Sequence, residues 1–192
     1  MSNLHTQLED AVTAMNAAAY ARAEELCRNV LSVLDTQANT HHDGETEESS
    51  ETRGFLRIRA ERLLAKSLWK LDRAKDGLPV ALRALEAAQR ETTAAVKLEM
   101  CHLLYLLGNL YLSLSDFKEC LAATAKALER YTELSDTEGV ALSTMGMALA
   151  YYHLSDYSNA LVYFSRALGM FEEQGNAQDR ARCYGNVGLI YD

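Results

Sequence analysis

The sequence predicts an all-α fold built from stacked antiparallel helix pairs. Three observations predict it. Strong helix formers dominate the 192 residues, and Pro79 is the single proline. Apolar and small residues recur at helical spacing, as in the i, i+3, i+4, i+7 stripe of Leu104, Leu107, Gly108 and Tyr111. Tyr111, Tyr151 and Tyr191 return at a 40-residue interval inside similar segments, and such self-similarity marks a repeat architecture.

Each repeat divides into two amphipathic helices. The second helix of one unit, with Phe117, Cys120, Thr124, Ala127 and Leu128, aligns with Tyr157, Ala160, Phe164, Ala167 and Leu168 of the next. The small residues Gly108, Ala148 and Gly188 let a neighbouring helix come close. The Leu-Ser-Asp triplets at 114–116, 134–136 and 154–156 predict short turns in which Ser or Asp caps the following helix. Ser135 and Glu138 have the spacing of a capping box.

The pattern sets repeats at about 4–36, 55–93, 98–134 and 138–174, with the first helix of a fifth at 178–192. In the second repeat the turn from Asp72 to Gly77 is expected to hold extra residues, with Pro79 in the first turn of its helix. Residues 37–52 interrupt the array. Six acids lie between Asp35 and Thr52 with no Lys or Arg and almost no apolar residue, so a mobile acidic insertion is expected there. One role for it would be an internal decoy for a basic groove. The incomplete fifth repeat leads to the expectation that the chain is a fragment of a longer protein.

A small residue after Leu, a Tyr three positions on, an aromatic six further, then Ala, an aromatic and Ala-Leu resembles the tetratricopeptide repeat (TPR). The resemblance is strongest over residues 98–192. Tyr184-Gly185-Asn186-Val187-Gly188 is similar to the long, 40-residue-spaced subtype of bacterial signalling proteins, kinesin light chains and animal spindle-orientation adaptors. The resemblance implies a right-handed superhelical solenoid over 1–192 whose first helices line a concave groove. It implies a non-catalytic scaffold that binds a peptide segment of a partner.

Helical geometry, at about 100° per residue, then nominates groove residues opposite the core stripe. They are Arg59, Arg62, Lys66, Trp69 and Lys70 in the second repeat, and His102, Tyr105 and Asn109 in the third. In the fourth they are Leu142, Met145, Leu149 and Tyr152, with His153 beside them. The first set is basic, the second mixed and the third apolar. A partner with acidic residues at one end and apolar anchors at the other would match. The carboxylate clamp of some family members is not expected, because Met145, Gly146 and Leu149 stand where polar groups would be needed.

Other functions find little support. A net charge of −8 gives no footprint for nucleic acid. Phosphate-loop and nucleophile-elbow motifs do not occur. Cys101 and His102 are adjacent, so on a helix they point about 100° apart and do not form a catalytic pair. His41-His42-Asp43 lacks the fixed geometry of a metal site, and no cofactor is called for. Cys27, Cys101, Cys120 and Cys183 form no C-x-x-C pair and read as buried thiols of a reducing compartment. The N-terminus has no secretory signal, and the uncharged stretches Met100–Ser115 and Gly139–Ser155 fall short of a membrane span, so a cytoplasmic protein is expected. Two alternatives stand beside the scaffold. One is a sensor segment of a larger bacterial signalling enzyme, of nucleotide cyclase or histidine kinase type. The other is a self-assembling structural protein, in which the apolar face of the fourth repeat meets a second copy as in a homodimer.

Overall fold

The computed structural model describes residues 2–40 and 47–191. Among them all the regular structure is helical: α1 (Ser2–Asn16), α2 (Tyr20–Thr40), α3 (Glu47–Lys70), α4 (Ala74–Ala88), α5 (Ala94–Ser113), α6 (Phe117–Glu133), α7 (Thr137–His153), α8 (Tyr157–Glu173) and α9 (Ala177–Tyr191). They form two compact units, Met1–Leu103 and Leu104–Asp192, and α5 begins in the first and ends in the second. In the first unit α1 packs on α2, α2 on α3 and α3 on α4, and α1 also touches α3. In the second unit α6 packs on α7, α7 on α8 and α8 on α9, and α7 also touches α9. Contact between consecutive helices, and between the first helices of consecutive pairs, is the arrangement of a helical solenoid.

One turn recurs through the second unit. Ser115, Ser135, Ser155 and Gly175 stand 20 residues apart, and each adopts a left-handed backbone, with φ of 63°, 56°, 62° and 68°. The amide of the residue after each donates back to an aromatic residue's carbonyl near the helix end. Asp116 bonds Tyr111, Asp136 bonds Tyr131, Asp156 bonds Tyr151 and Asn176 bonds Phe171, at 2.9–3.0 Å. The left-handed residue itself donates to Leu112, Thr132, Tyr152 or Glu172. These paired bonds make a Schellman motif, which satisfies carbonyls that a helix end leaves open. A left-handed non-glycine residue costs about 1 kcal/mol, and the two bonds offset it. The residue that closes one helix also starts the next. Asp136 accepts from the Gly139 amide at 2.8 Å, Asp156 from Asn159 at 3.2 Å and Asn176 from Asp179 at 3.1 Å. The repeat is thus one device used four times: a helix of 17 residues in α6, α7 and α8, then three residues of turn.

Tyr111 and Tyr151 occupy equivalent places, half-buried at the ends of α5 and α7. The core of the second unit gathers Ala141, Met145, Ala148, Ala160, Phe164, Ala167, Phe171 and Cys183. Alanines bring the backbones together, while Phe164 and Phe171, fully buried, fill the space between them. One repeat earlier Thr124 stands where Phe164 does, and its surroundings differ to match. A Cβ on Gly108 would lie 2.4 Å from the Thr124 methyl, and one on Gly146 would lie 2.9 Å from it. The methyl of α6 therefore sits between α5 and α7 in a space that two glycines leave open. The Thr124 hydroxyl turns back to the Cys120 carbonyl at 2.7 Å, so no buried polar atom is stranded.

Several local expectations are corrected. Ser135 does not open a capping box; it takes the left-handed position, and Asp136 caps α7. The turn at Asp72 holds no extra residues: Asp72 is left-handed at φ 60°, α4 starts at Ala74, and Gly77 is buried within it. Pro79 consequently lies inside α4 and not in its first turn. The Lys75 carbonyl that a residue-79 amide would bond belongs to an exposed residue, where water can take it. The acidic stretch 37–52 is helical at both ends, since α2 runs to Thr40 and α3 begins at Glu47. Its poverty in apolar residues was a poor guide, because a helix already anchored by packing extends at the cost of one residue per added bond. Residues 41–46, including His41, His42 and Asp43, lie outside the described residues.

Gly108→Ala is expected to destabilise the chain by about 1–3 kcal/mol, through overpacking against the Thr124 methyl. Thr124→Ser, which removes that methyl and keeps the hydroxyl, should recover much of the loss in the double variant. Urea denaturation of the four proteins checks it; additive losses would mean the two residues do not compete for one space.

Candidate functional site

The nominated groove residues divide between the two units. In the first unit they lie on α3 and the start of α5. Arg59 and Arg62 point from α3 toward the first helices on either side and are not free. Arg59 Nη2 donates to Glu9 Oε1 of α1 at 2.8 Å. Arg62 grips Glu99 of α5 with two nitrogens, Nε on Oε2 and Nη2 on Oε1, the latter at 3.4 Å. Arg59 Nε lies 4.0 Å from the same Glu99 carboxylate. The result is an alternating row, Glu9–Arg59–Glu99–Arg62, across α1, α3 and α5. Its Glu99–Arg62 end is largely withdrawn from water, with 13% of the Arg62 side chain and 9% of the Glu99 side chain exposed, whereas half of the Glu9 side chain is open to solvent. A dry guanidinium–carboxylate pair needs its partner, because each charge alone would be costly to desolvate.

These arginines therefore hold neighbouring helices and do not present the open basic stripe that the sequence suggested. Glu99 shares a helical face with His102 and Tyr105, at i, i+3 and i+6, so its place on the groove face was readable. Its pairing across helices was not. Lys66 is exposed and forms no ion pair among the described residues. Partial desolvation of its ammonium, then the charges of Arg62 and Lys70, pull its pKa down. Trp69 is half-buried, and the Lys70 ammonium stands 4.2 Å from its ring centre, a cation–π contact. His102 is half-buried on α5.

In the second unit the site centres on α7. Gly139 to Ser155 carries no formal charge, and α7 has core on more than one side because it touches α6, α8 and α9. Met145 is the correction here. It is 1% exposed and belongs to the core with Phe164 and Phe171, so it cannot line a groove. A central helix flanked by three others buries a wider arc than an outer one, and Met145 falls inside that arc. Leu142, Leu149 and Tyr152 remain half-buried, packed on the core from outside.

Polar groups stand on the flanking first helices. On α5, Asn109 Nδ2 donates to the Tyr105 carbonyl at 3.2 Å, and the Asn109 side chain lies close enough to the Tyr105 hydroxyl to act on it. Burial raises the Tyr105 pKa, and Arg182 and Asp179 of α9 are close enough to act on it. Arg182 and Asp179 are themselves paired at 2.7 Å. The sequence reading missed this pair; its signal was the i, i+3 spacing of opposite charges on the fifth repeat's first helix. The arrangement is an apolar strip on α7 with hydrogen-bonding groups from α5 and α9 near it. It can hold a chain in place and has no activated nucleophile. Burial pushes the Cys27 thiol up to about 12 and those of Cys120 and Cys183 to about 11. Among the described residues no His, Cys, Asp and Glu cluster could hold a metal, and no helix is long and apolar enough to cross a membrane.

Residues 98–173 match the family model described as tetratricopeptide repeat. No curated protein matches the chain. Solved structures resemble it in fold at low identity. A signal transduction ATPase with numerous domains, carrying a tetratricopeptide repeat sensor, from Pyrococcus horikoshii is 15% identical with a TM-score of 0.75, over 98% of this chain and 27% of that one. A Rap protein complexed with competence and sporulation factor is 15% identical with a TM-score of 0.74, over 98% of this chain and 48% of that one. A putative kinesin light chain from Podosopora anserina, with nearly identical TPR-like repeats, is 13% identical with a TM-score of 0.65, over 99% of this chain and 95% of that one. The chain spans less than half the length of the first two.

Glu99→Gln should leave Arg62 and Arg59 short of a counter-charge in a poorly hydrated place and cost about 3 kcal/mol of stability. Thermal and denaturant unfolding measure it; an unchanged midpoint would mean that water reaches the row freely.

Proposed function

We propose that the chain, whose residues 98–173 match the tetratricopeptide repeat family model, is a non-catalytic interaction module of the cytoplasm. It holds a segment of a partner protein along the first helices of its second unit. Apolar side chains of the segment lie on Leu142 and Leu149. The Tyr105–Asn109 pair and Arg182 take polar groups of its backbone or side chains.

The observation that carries the reading is α7 itself. A helix with no charge from Gly139 to Ser155 that still leaves Leu142, Leu149 and Tyr152 half-open to water has more apolar surface than its own fold covers. Nearby groups able to fix a peptide's orientation add to it. The Rap protein of similar fold, solved in complex with competence and sporulation factor, is in keeping with a ligand-holding role. The basic half of the expected groove contributes less than its composition suggests, since Arg59 and Arg62 are occupied by Glu9 and Glu99. Lys66 remains as the residue there that would meet an acidic group. A second reading, a sensor segment of a larger signalling protein, draws on the fold likeness to the archaeal ATPase with a tetratricopeptide repeat sensor.

Selection of binding peptides from a random library, followed by titration calorimetry, tests the groove. Leu142→Glu with Leu149→Glu should weaken a selected peptide by about 2 kcal/mol or more. Lys126→Glu, exposed on α6, should not change it. Selected peptides that bind the double variant as tightly as the parent, with the fold intact by circular dichroism, would rule out the groove on α7.

A further inference from the structure

The second unit carries a further surface at the edge where its first helices turn into its second helices. Four rings are linked there. His153, the last residue of α7, stacks on Phe117, the first residue of α6, with centres 4.7 Å apart and planes 10° from parallel. Tyr152 meets His153 edge-on at 5.2 Å. Tyr157, the first residue of α8, lies 5.9 Å from Tyr152. The ladder spans two successive turns: Tyr152 is half-buried against the core and Phe117 is half-buried, while His153 is exposed and Tyr157 is 48% exposed.

The fold does not require rings at these positions. The residue one repeat before His153 is Ser113, and α4, the second helix of the second repeat, starts at Ala74 where α6 and α8 start at Phe117 and Tyr157. Each occupies the same kind of helix end without an aromatic. Open aromatic faces cost solvation and gain little from the intramolecular contacts they make here, which is the condition of a contact surface.

The charges beside the ladder say what it would contact. Asp116 stands at the cap position of α6, yet its carboxylate makes no capping hydrogen bond, unlike Asp136 and Asp156. Glu119, one turn on, is exposed, and neither acid forms an ion pair among the described residues. Lys118 offsets one of these charges and leaves the turn acidic. Exposed ring faces next to unpaired carboxylates complement one side chain above all. A guanidinium stacks flat on an aromatic ring and offers its edge N–H groups to a carboxylate at the same time.

We propose that this edge docks an arginine-bearing segment of a partner protein, the guanidinium lying on the Phe117–His153–Tyr157 rings and pairing with Asp116 and Glu119. Tyr152 belongs both to this ladder and to the apolar surface of α7, but Phe117, His153, Tyr157 and the two acids lie outside the strip at Leu142 and Leu149, so loss of arginine binding and loss of the peptide groove are separately measurable.

The test uses the full chain and a short glycine-spaced peptide with two arginines, followed by amide chemical shifts in a titration. Saturable shifts are expected at residues 113–119 and 152–158, with Kd on the order of 1 mM for so small a probe. The same peptide with citrulline in place of arginine keeps the shape and loses the charge; it should bind at least about tenfold more weakly. His153→Ser with Tyr157→Ala, which installs the residues that the third and second repeats carry at these positions, should weaken the arginine peptide to a similar degree with the fold retained. Asp116→Asn with Glu119→Gln should do likewise and flatten the salt dependence. Equal binding of the citrulline peptide, shifts confined to another face, or no effect of either double variant would overturn the proposal. So would concentration-dependent self-association abolished by the Asp116→Asn, Glu119→Gln protein, because the occupant would then be a second copy of the chain.

Discussion

The left-handed residue at each helix end is the constraint on which the second unit depends. A helix stops when one residue takes positive φ, the next amide reaches back to an aromatic residue's carbonyl, and the following helix starts at once. With only three residues between helices, neighbours must run antiparallel and stay close. With 17-residue helices in α6, α7 and α8, the aromatic near the end of each falls at alternating ends of the stack and returns to the same end every second helix. Serine fills the position three times and glycine once. Serine tolerates the strain because the hydrogen bonds it completes are otherwise lost from two helix ends.

Close stacking then sets what the interior can hold. Where α8 offers Phe164, the facing positions are alanines of α7, and the ring itself fills the gap. Where α6 offers Thr124, two glycines draw the flanking helices in until a methyl suffices. Both solutions give a dense interior by trading volume between facing residues. A helix such as α7, bounded by α6, α8 and α9, has little face left for water, yet Leu142, Leu149 and Tyr152 stay only half-buried.

The first unit handles its first helices differently. Their exposed faces are tied by the row Glu9, Arg59, Glu99 and Arg62, and not by apolar contact. Ion pairs of this kind add orientation more than net stability, since desolvation consumes most of the attraction. The arginines fix how α3 sits between α1 and α5, and they leave Lys66 as the nearest uncommitted charge. The two units thus carry different surfaces on one helical architecture, in keeping with the rule that fold alone does not assign function.

The sequence by itself determined the helices, their pairing and the repeat interval, because these depend on local features: hydrophobic period, turn residues and the return of Tyr111 at Tyr151. It also placed Leu142, Leu149 and Tyr152 on a face away from the main core stripe. Position along a helix could not decide what neighbouring helices contribute. Met145 lies on the nominated face and is nonetheless buried, since three helices close around α7. Arg59 and Arg62 read as open cations until Glu9 and Glu99, 50 and 37 residues away, meet them. The run from Gln37 to Thr52 reads as loop until packed helices extend into it from both sides. Each of these outcomes depends on contacts between residues far apart in the chain, and such contacts exist only once the helices have stacked.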